Sequence, residues 1–237
     1  MPTTTYNPQD ARLVASSATS NFGASVTSGT IIGLATSLLV WRIPLDSPLS
    51  GDAIPAGAII DSVTINTTAI TLGGQGDGGS GSTWTGTMRR LSRTNWVEGT
   101  DTGTIVPATS GATWNQFDAS LGSPAGDWTS AGGDFTGKEW TFACSTGTGA
   151  KTLAPTNAGD FVEIFQGGLD DHAGIVSIGI YRATSGSGQQ WGTKDNTTAG
   201  NRPLITVEWH MPEEGPSTPQ KAAALAARGR GRVRCRM

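Results

Sequence analysis

The chain has 237 residues, of which 34 are glycine and 15% are charged, and its formal net charge is −3. This length suits one sizeable β domain, and abundant Gly, Ser and Thr favour strands that are joined by turns. Two cysteines exclude a disulfide framework, and the longest apolar run is far too short to span a membrane.

The N-terminal third holds the clearest strand signals. A first strand is predicted over residues 11–17, and two longer strands over residues 38–45 and 54–72, the last of which begins with a turn. β-Branched residues dominate this third strand, as a half-buried pleated surface favours. Its loose alternation predicts one buried face and a bulge near Asp61 and Ser62.

The middle of the chain combines glycine-rich connections with short strands. Residues 73–82 (GGQGDGGSGS) have the composition of a loop, and residues 83–91 are predicted as the return strand of that hairpin. Alternation places Trp84 and Met88 on one face of this strand. Residues 99–134 are rich in turn formers and are predicted as a long irregular connection.

One short helix is predicted over residues 157–165. Asn157 is the predicted N-cap, and Gly167 is the predicted C-cap. Phe161 and Ile164 share an apolar face at helical spacing.

Further strands over residues 139–144, 175–183 and 203–209 complete the pattern. The sequence therefore predicts an all-β domain over residues 1–211, an antiparallel two-sheet sandwich with jelly-roll topology and one short helix. The predicted core residues are Val40, Ile43, Ile60, Val63 or Ile65, Phe142, Ile178 and Val207.

The composition changes at Pro212, where a linker and a basic tail begin. Residues 1–211 carry 10 Lys+Arg against 17 Asp+Glu, net −7, whereas residues 212–237 carry 6 against 2, net +4. The tail is therefore predicted to bind another subunit, with residues 222–227 as a short helix. Nucleic-acid binding and no function are the alternatives. The basic tail residues are Lys221, Arg228, Arg230, Arg232, Arg234 and Arg236.

The sequence shows no catalytic constellation. No zinc-protease, nucleophile-elbow, CxxC or phosphate-loop motif is present, and His172 and His210 stand 38 positions apart. Asp170, Asp171 and His172 match a metal site by spacing alone, but a polar connection is the favoured interpretation. Calcium near Asp77 is a weaker alternative. We predict no catalytic residue, no metal site, no cofactor and no enzymatic activity.

Eight tryptophans are the feature that favours sugar binding, because exposed indole faces stack on sugar rings. Trp84, Trp128 and Trp191 are the candidate exposed stacking residues, although a core position is the favoured interpretation for each of them. The other tryptophans are expected in strands or as anchors of loops.

Several motifs in chain order resemble those of the DNRLRE-type jelly-roll domains, which are similar to carbohydrate-binding modules. The most specific is LLVWRIPLDS, residues 38–47, followed by IPAGAIIDSVTINTTAI, residues 54–70. The others are TSNFG (19–23), NWVEGT (95–100), TWN (113–115) and NRPLITVEW (201–209). The resemblance covers residues 5–210 and implies a jelly-roll sandwich. The extra residues 46–53 and the glycine run 73–81 depart from the family pattern.

Residues 1–30 contain no export signal, although DNRLRE-type domains usually belong to secreted or cell-surface proteins. A copy without such a signal is expected to leave the cell by lysis, as phage structural proteins do. We therefore expect a non-enzymatic structural protein of a bacteriophage particle, serving in the virion as a capsid-surface decoration, fibre or collar subunit.

The expected partners are other virion proteins and further copies of the chain, with host-surface glycans as an additional contact. Neither a membrane nor nucleic acid is an expected partner. The alternative function is a carbohydrate-binding module of an extracellular or cell-surface protein.

Overall fold

The computed structural model describes residues 1–30, 36–72, 83–182 and 189–213. Its strands are β1 (Thr3–Tyr6), β2 (Gln9–Val14), β3 (Thr27–Thr30), β4 (Ser37–Pro44), β5 (Ile59–Leu72), β6 (Thr83–Leu91), β7 (Phe135–Ser145), β8 (Gly149–Pro155), β9 (Ile175–Arg182), β10 (Gln189–Gly192) and β11 (Leu204–His210). Helix α1 spans Asp160–Asp171, and single 3-10 turns span Ala15–Ser17, Ala119–Leu121 and Ala199–Asn201. No helix within the described ranges is both long and apolar enough to cross a membrane.

The strands form an antiparallel sheet that curls over itself. Hydrogen-bonded neighbours follow the order β1-β11-β5-β8-β7-β6-β9-β4-β2, with β10 paired to β5 and β3. The sheet bends at β8. This strand pairs with β5 over five residues but with β7 only at Phe142 and Ala143. We call β1, β3, β5, β8, β10 and β11 the first layer, and β2, β4, β6, β7 and β9 the second layer. The predicted all-β, antiparallel fold with one helix is confirmed. Its sandwich-like layers are joined in one continuous sheet and are not the two separate sheets that the sequence predicts.

Trp191 lies at the centre of the core between the layers. It is fully buried on β10 of the first layer. Its ring centroid lies 6.3 Å from that of Trp41, 6.0 Å from that of Trp84 and 6.3 Å from that of Phe142, all in the second layer. Gly86 makes room for this cluster, because a Cβ there would lie 2.1 Å from the ring of Phe142.

The predicted core is confirmed. Every residue in it is at least nine-tenths buried except Val63, which is half-buried and packs against the others. The buried members are Val40, Ile43, Ile60, Ile65, Phe142, Ile178 and Val207.

A bulge in β5 changes which side of that strand faces the core. Glu208 of β11 pairs with Ser62, but Trp209 pairs with Ile60, so Asp61 is left as the extra residue. Ile60 and Ile65 are five positions apart and would face opposite sides of a regular strand. Because of the bulge, both are buried. The predicted bulge near Asp61 and Ser62 is confirmed.

Strand β6 is not the hairpin partner of β5. It pairs with β7 and β9, so the chain passes from the first to the second layer between β5 and β6. The glycine-rich residues 73–82 lie outside the described ranges. Trp84 and Met88 are both buried, as the alternation predicts. The hairpin prediction is wrong because alternation identifies the buried face of a strand and not its neighbours.

Helix α1 differs from its prediction at both ends. Its N-cap is Gly159. Asn157, the predicted cap, instead donates its backbone and side-chain N–H groups to Oδ2 of Asp160, at 3.2 and 3.1 Å. Gly167, the predicted C-cap, lies within the helix, where a Cβ would come within 2.1 Å of the Arg90 guanidinium. This glycine therefore permits close packing of α1 against β6 and does not end the helix.

Residues 46–53, which depart from the resembled pattern, cover the outer edge of β1. The N–H of Thr5 donates to the carbonyl of Ser50 at 2.9 Å, and the N–H of Leu49 donates to the carbonyl of Thr5 at 2.8 Å. Backbone groups that are paired in this way cannot accept a strand from another chain. The first layer is therefore closed to edge pairing at this point.

Candidate functional site

A polar groove opens where β6 ends and β7 begins. Its volume is about 510 Å³. A smaller depression of about 270 Å³ shares Ser130 and Phe135 with it and reaches Arg89. The residues that line the larger space, which we call the polar groove, are Ser92, Arg93, Thr94, Asn95, Thr129, Ser130, Asp134 and Phe135.

Arg93 is the fixed cation of the polar groove. Its guanidinium carbon lies 4.1 Å from the ring centroid of Phe117, and its Nε donates to Oδ2 of Asp134 at 3.2 Å. The other carboxylate oxygen of Asp134 accepts the N–H of Ser130 at 2.9 Å. The side chain of Arg93 remains 32% exposed. Its position is therefore set before any ligand arrives.

The polar groove offers several free donors and acceptors. The two terminal nitrogens of Arg93 donate to no residue within the described ranges. Asn95 and Thr129, which are exposed, add an amide and a hydroxyl to the same wall. Such groups can bind the hydroxyls of a polyol by hydrogen bonds.

The polar groove does not assemble acid–base machinery. Among the described residues that line it, Asp134 is the only carboxylate, and neither histidine nor cysteine is present. Hydrolysis of a glycosidic bond normally requires a second carboxylate on the opposite side of the bond. The described lining of the polar groove therefore lacks the pair of carboxylates that this reaction uses.

The interpretation of Trp84, Trp128 and Trp191 as exposed stacking residues is wrong. Their exposed fractions are 6%, 5% and 0%. Trp84 lies in the core cluster described above. Trp128 packs edge-on against Phe117 at 6.0 Å and donates its indole N–H to the carbonyl of Thr113 at 2.9 Å. None of the three indoles presents a face to a sugar ring.

Two other sequence-based interpretations concern metals and the tail. Asp170 and Asp171 form the end of α1, where Asp170 accepts from Gln166 and Asp171 approaches Arg90 at 3.8 Å. In the part of the chain that the structure describes, no three His, Cys, Asp or Glu side chains cluster as a metal site would require.

The basic tail residues, Lys221, Arg228, Arg230, Arg232, Arg234 and Arg236, lie outside the described ranges.

A buried carboxyl joins β2 to two loops. Asp10 is fully buried, and its N–H donates to Oε1 of Glu98 at 2.8 Å. Its Oδ2 accepts the backbone N–H of Lys194 at 2.8 Å, but its Oδ1 has no hydrogen-bond partner among the described residues. The ammonium of Lys194 lies 2.9 Å from Oε2 of Glu98. Burial, and then the charges of Glu98 and Asp195, raise the pKa of Asp10 well above its usual range.

We expect the Asp10→Asn variant to gain stability over the natural chain as the pH rises from about 4, the ordinary pKa of an aspartate, toward the raised pKa of the folded Asp10. In this window the unfolded Asp10 releases its proton while the folded one retains it, so rising pH favours unfolding of the natural chain. Asparagine retains the oxygen that accepts from Lys194 and removes this titration. Denaturant unfolding at several pH values measures the difference, and parallel pH profiles for the two chains would contradict the expectation.

The second candidate surface is the outward side of β1, β11, β5 and β8. We call it the outer face. Residues on its neighbouring strands lie directly opposite one another: Thr5 of β1 is paired with Thr206 of β11, and Thr206 is paired with Thr64 of β5. Its side chains are Thr3, Thr5, Leu204, Thr206, Glu208, Ser62, Thr64, Asn66, Thr68, Ala150, Thr152 and Ala154.

The outer face carries little charge and contains a depression. Glu208 is the only ionisable side chain among the residues that define it. The depression has a volume of about 520 Å³, with Asn66 and Thr152 in its lining. Leu49 and Leu204, which are 63% and 37% exposed, also line it. A weakly charged surface is compatible with a contact to another protein, because charged residues are depleted at the centre of such contacts.

Neither surface is predicted from the sequence. Arg93 and Asp134 are 41 positions apart, and only the path of the long connection between β6 and β7 brings them together. The outer face does have a local signal, because Thr64, Asn66 and Thr68 alternate with buried residues along β5.

Comparison with family models and with curated proteins finds no match for this chain, so the resemblance to DNRLRE-type domains remains a prediction.

Proposed function

We propose that the chain is a non-enzymatic structural protein of a bacteriophage particle, on the capsid surface or in a fibre or collar, and that its outer face contacts other virion proteins. The outer face is the observation that carries the proposal. It is broad, weakly charged and rich in threonine, and it exposes Leu49 and Leu204 around a depression. Short hydroxyl side chains lose little rotamer freedom when a partner covers them.

Quantitative mass spectrometry of purified particles tests this proposal. The particles are those made by the genome that encodes the chain, and the chain is counted against the major capsid protein. We expect a fixed number of copies per particle that survives density-gradient purification. Absence of the chain from purified particles would contradict the proposal.

The basic tail supplies a second contact in this proposal. Residues 1–211 have a net charge of −7 and residues 212–237 have a net charge of +4, so the tail of one copy is attracted to the body of another. Deletion of residues 212–237 should reduce the number of copies on the particle. If the deleted chain assembles as completely as the full chain, the tail has no part in assembly.

The polar groove favours a second candidate function, the binding of a glycan. Arg93, Asn95 and Thr129 present donors that have no partner in the part of the chain that the structure describes, apart from the Nε of Arg93. These donors lie beside the half-buried ring of Phe135, an arrangement that suits sugar hydroxyls. A virion protein can also use such a groove to contact glycans of the host surface. The same groove suits a carbohydrate-binding module of an extracellular or cell-surface protein.

Retention on immobilised polysaccharides tests the glycan candidate. We expect the chain to be retarded on at least one polysaccharide and Asn95→Ala to shorten the retention. Thr64→Ala is the matched control, because Thr64 is exposed on the outer face and is remote from the groove lining. Equal retention of Asn95→Ala and the natural chain would exclude the polar groove as the binding site.

A further inference from the structure

We infer that the polar groove and the smaller depression beside it together hold one linear, uncharged glycan chain, which crosses the ring of Phe135 and is bound along its length. The inference rests on the glycan candidate of the proposed function, since it specifies the kind of glycan that the same groove accepts. Phe135 then has the stacking role for which Trp84, Trp128 and Trp191 are too deeply buried.

The two spaces adjoin at Phe135. The polar groove, of about 510 Å³, and the smaller depression, of about 270 Å³, share Ser130 and Phe135 in their linings. The groove alone falls within the range of about 300–1,000 Å³ in which proteins hold small molecules. Asn95 lines only the groove, and Arg89 lines only the smaller depression. A chain of sugars contacts both spaces at once, whereas a single ring occupies one of them.

Phe135 is fixed as a platform between the two spaces. The guanidinium carbon of Arg89 lies 5.3 Å from its ring centroid, and Nη2 of Arg89 donates to the carbonyl of Thr136 at 2.8 Å. Gly179 of β9 lies against the ring, because a Cβ there would be 2.4 Å from it. The ring is only half-buried, so part of it remains available. The apolar C–H face of a sugar stacks on such a ring.

The wall of the smaller depression is formed by residues that have little or no side chain. Ala131, Gly132 and Gly133 follow one another there. The N–H of Gly133 donates to the carbonyl of Ser130 at 3.0 Å, and the N–H of Gly132 donates to the carbonyl of Trp114 at 2.6 Å. The φ angles of the two glycines are 120° and 90°, which other residues rarely adopt. This wall is therefore set before a ligand arrives and leaves room for a sugar ring beside Phe135.

The charges around the two spaces are balanced in pairs. Nε of Arg93 donates to Asp134 at 3.2 Å, and Nη1 of Arg89 lies 3.7 Å from Oε1 of Glu139. Because each cation has a carboxylate beside it, the site offers no excess charge to an acidic or a basic ligand. The two terminal nitrogens of Arg93, which donate to no described residue, can donate to adjacent hydroxyls of one sugar ring. An uncharged sugar chain therefore fits the site best.

Isothermal titration calorimetry of the full-length chain tests the inference. The probes are β-1,4-linked oligosaccharides of glucose, of xylose and of N-acetylglucosamine, each with one to six units. We expect the dissociation constant of at least one series to fall by about tenfold or more between one and four units, because a longer chain adds the contact with Phe135 to the hydrogen bonds of the groove. Galacturonic acid oligosaccharides of the same lengths should bind more weakly than that series.

Ser130→Leu should remove the gain in affinity with length. Ser130 is exposed where the two spaces adjoin, and its bond to Asp134 comes from the backbone N–H, which leucine retains. The larger side chain obstructs the passage of a chain and leaves the donors of Asn95 and Arg93 in place. Ser47→Leu is the matched control, since Ser47 is exposed and lies outside both linings. This control should bind like the natural chain, and thermal melts verify that each variant is folded.

Three results would overturn the inference: no uncharged series that gains affinity with length, an acidic series that binds most tightly, or a gain with length that Ser130→Leu leaves unchanged. These outcomes are distinguishable from failure of the glycan candidate. If polysaccharides retain the chain through Asn95 but single sugars bind as tightly as six units, the glycan candidate stands and the chain-length inference fails. If no polysaccharide retains the chain and no oligosaccharide binds, both fail. Neither result bears on the count of copies in purified particles.

Discussion

Trp191→Ala is expected to lower the free energy of unfolding by about 3–5 kcal/mol, the range for truncation of a buried tryptophan. Trp191 is fully buried, and its ring lies within 6.3 Å of three other aromatic rings. Alanine leaves a cavity between the two layers. The layers would have to move together to fill it. The variant also loses the bond from the indole N–H to Gln189, at 3.1 Å. Denaturant unfolding that is followed by circular dichroism measures the loss.

Trp191→Phe is the control for this prediction. Phenylalanine retains a ring between the layers and leaves a smaller void, so its loss should be clearly smaller than that of alanine. A loss below about 1 kcal/mol for Trp191→Ala would show that the centre of the core lies elsewhere.

Ile178→Ala is expected to cost about 2–5 kcal/mol. Ile178 is fully buried on β9, where it pairs with Trp41 of β4 on one side and Arg90 of β6 on the other. Loss of its side chain therefore affects the packing of three adjacent strands. The free energy of unfolding is again the quantity to measure.

Ile105→Ala is the matched control for Ile178→Ala. Ile105 is 50% exposed in the connection between β6 and β7, so the same chemical change there should alter stability by less than about 0.5 kcal/mol. Equal losses at the two positions would contradict the assignment of Ile178 to the core.

The strand pattern and the core could be predicted because both are local properties of the sequence. The apolar runs of β4 and β9 identify Val40 and Ile178 as buried without any knowledge of their neighbours, and both strands are in fact buried on both faces. The loose alternation in β5 likewise predicts the bulge at Asp61, which the pairing with β11 confirms.

Neighbours and close approaches could not be predicted from the same signals. Glycine is the residue type expected at a helix C-cap. At Gly167, however, a side chain is excluded because the guanidinium of Arg90, 77 positions earlier in the chain, occupies the space. The pairing of β6 with β9, and the meeting of Arg93 with Asp134, likewise depend on how distant segments are brought together. Such contacts leave no periodic trace in the sequence.

The tryptophans show how composition alone can mislead about function. Eight tryptophans suggest a sugar-binding surface, yet Trp84, Trp128 and Trp191 are all buried. Trp84 and Trp191 pack between the two layers, whereas Trp128 packs against Phe117 in the connection between β6 and β7. The groups that suit a glycan are instead the donors of the polar groove, where Arg93 and Asn95 stand beside one another.

The most direct test of the account is hydroxyl-radical footprinting of Leu49, Leu204 and Leu121 in intact particles and in the dilute isolated chain. All three leucines are exposed in the chain, and only the first two belong to the depression on the outer face. We predict that Leu49 and Leu204 are protected in the particle while Leu121 is labelled as before. Labelling of Leu49 and Leu204 that is as strong in the particle as in the isolated chain would contradict the claim that the outer face is the contact surface.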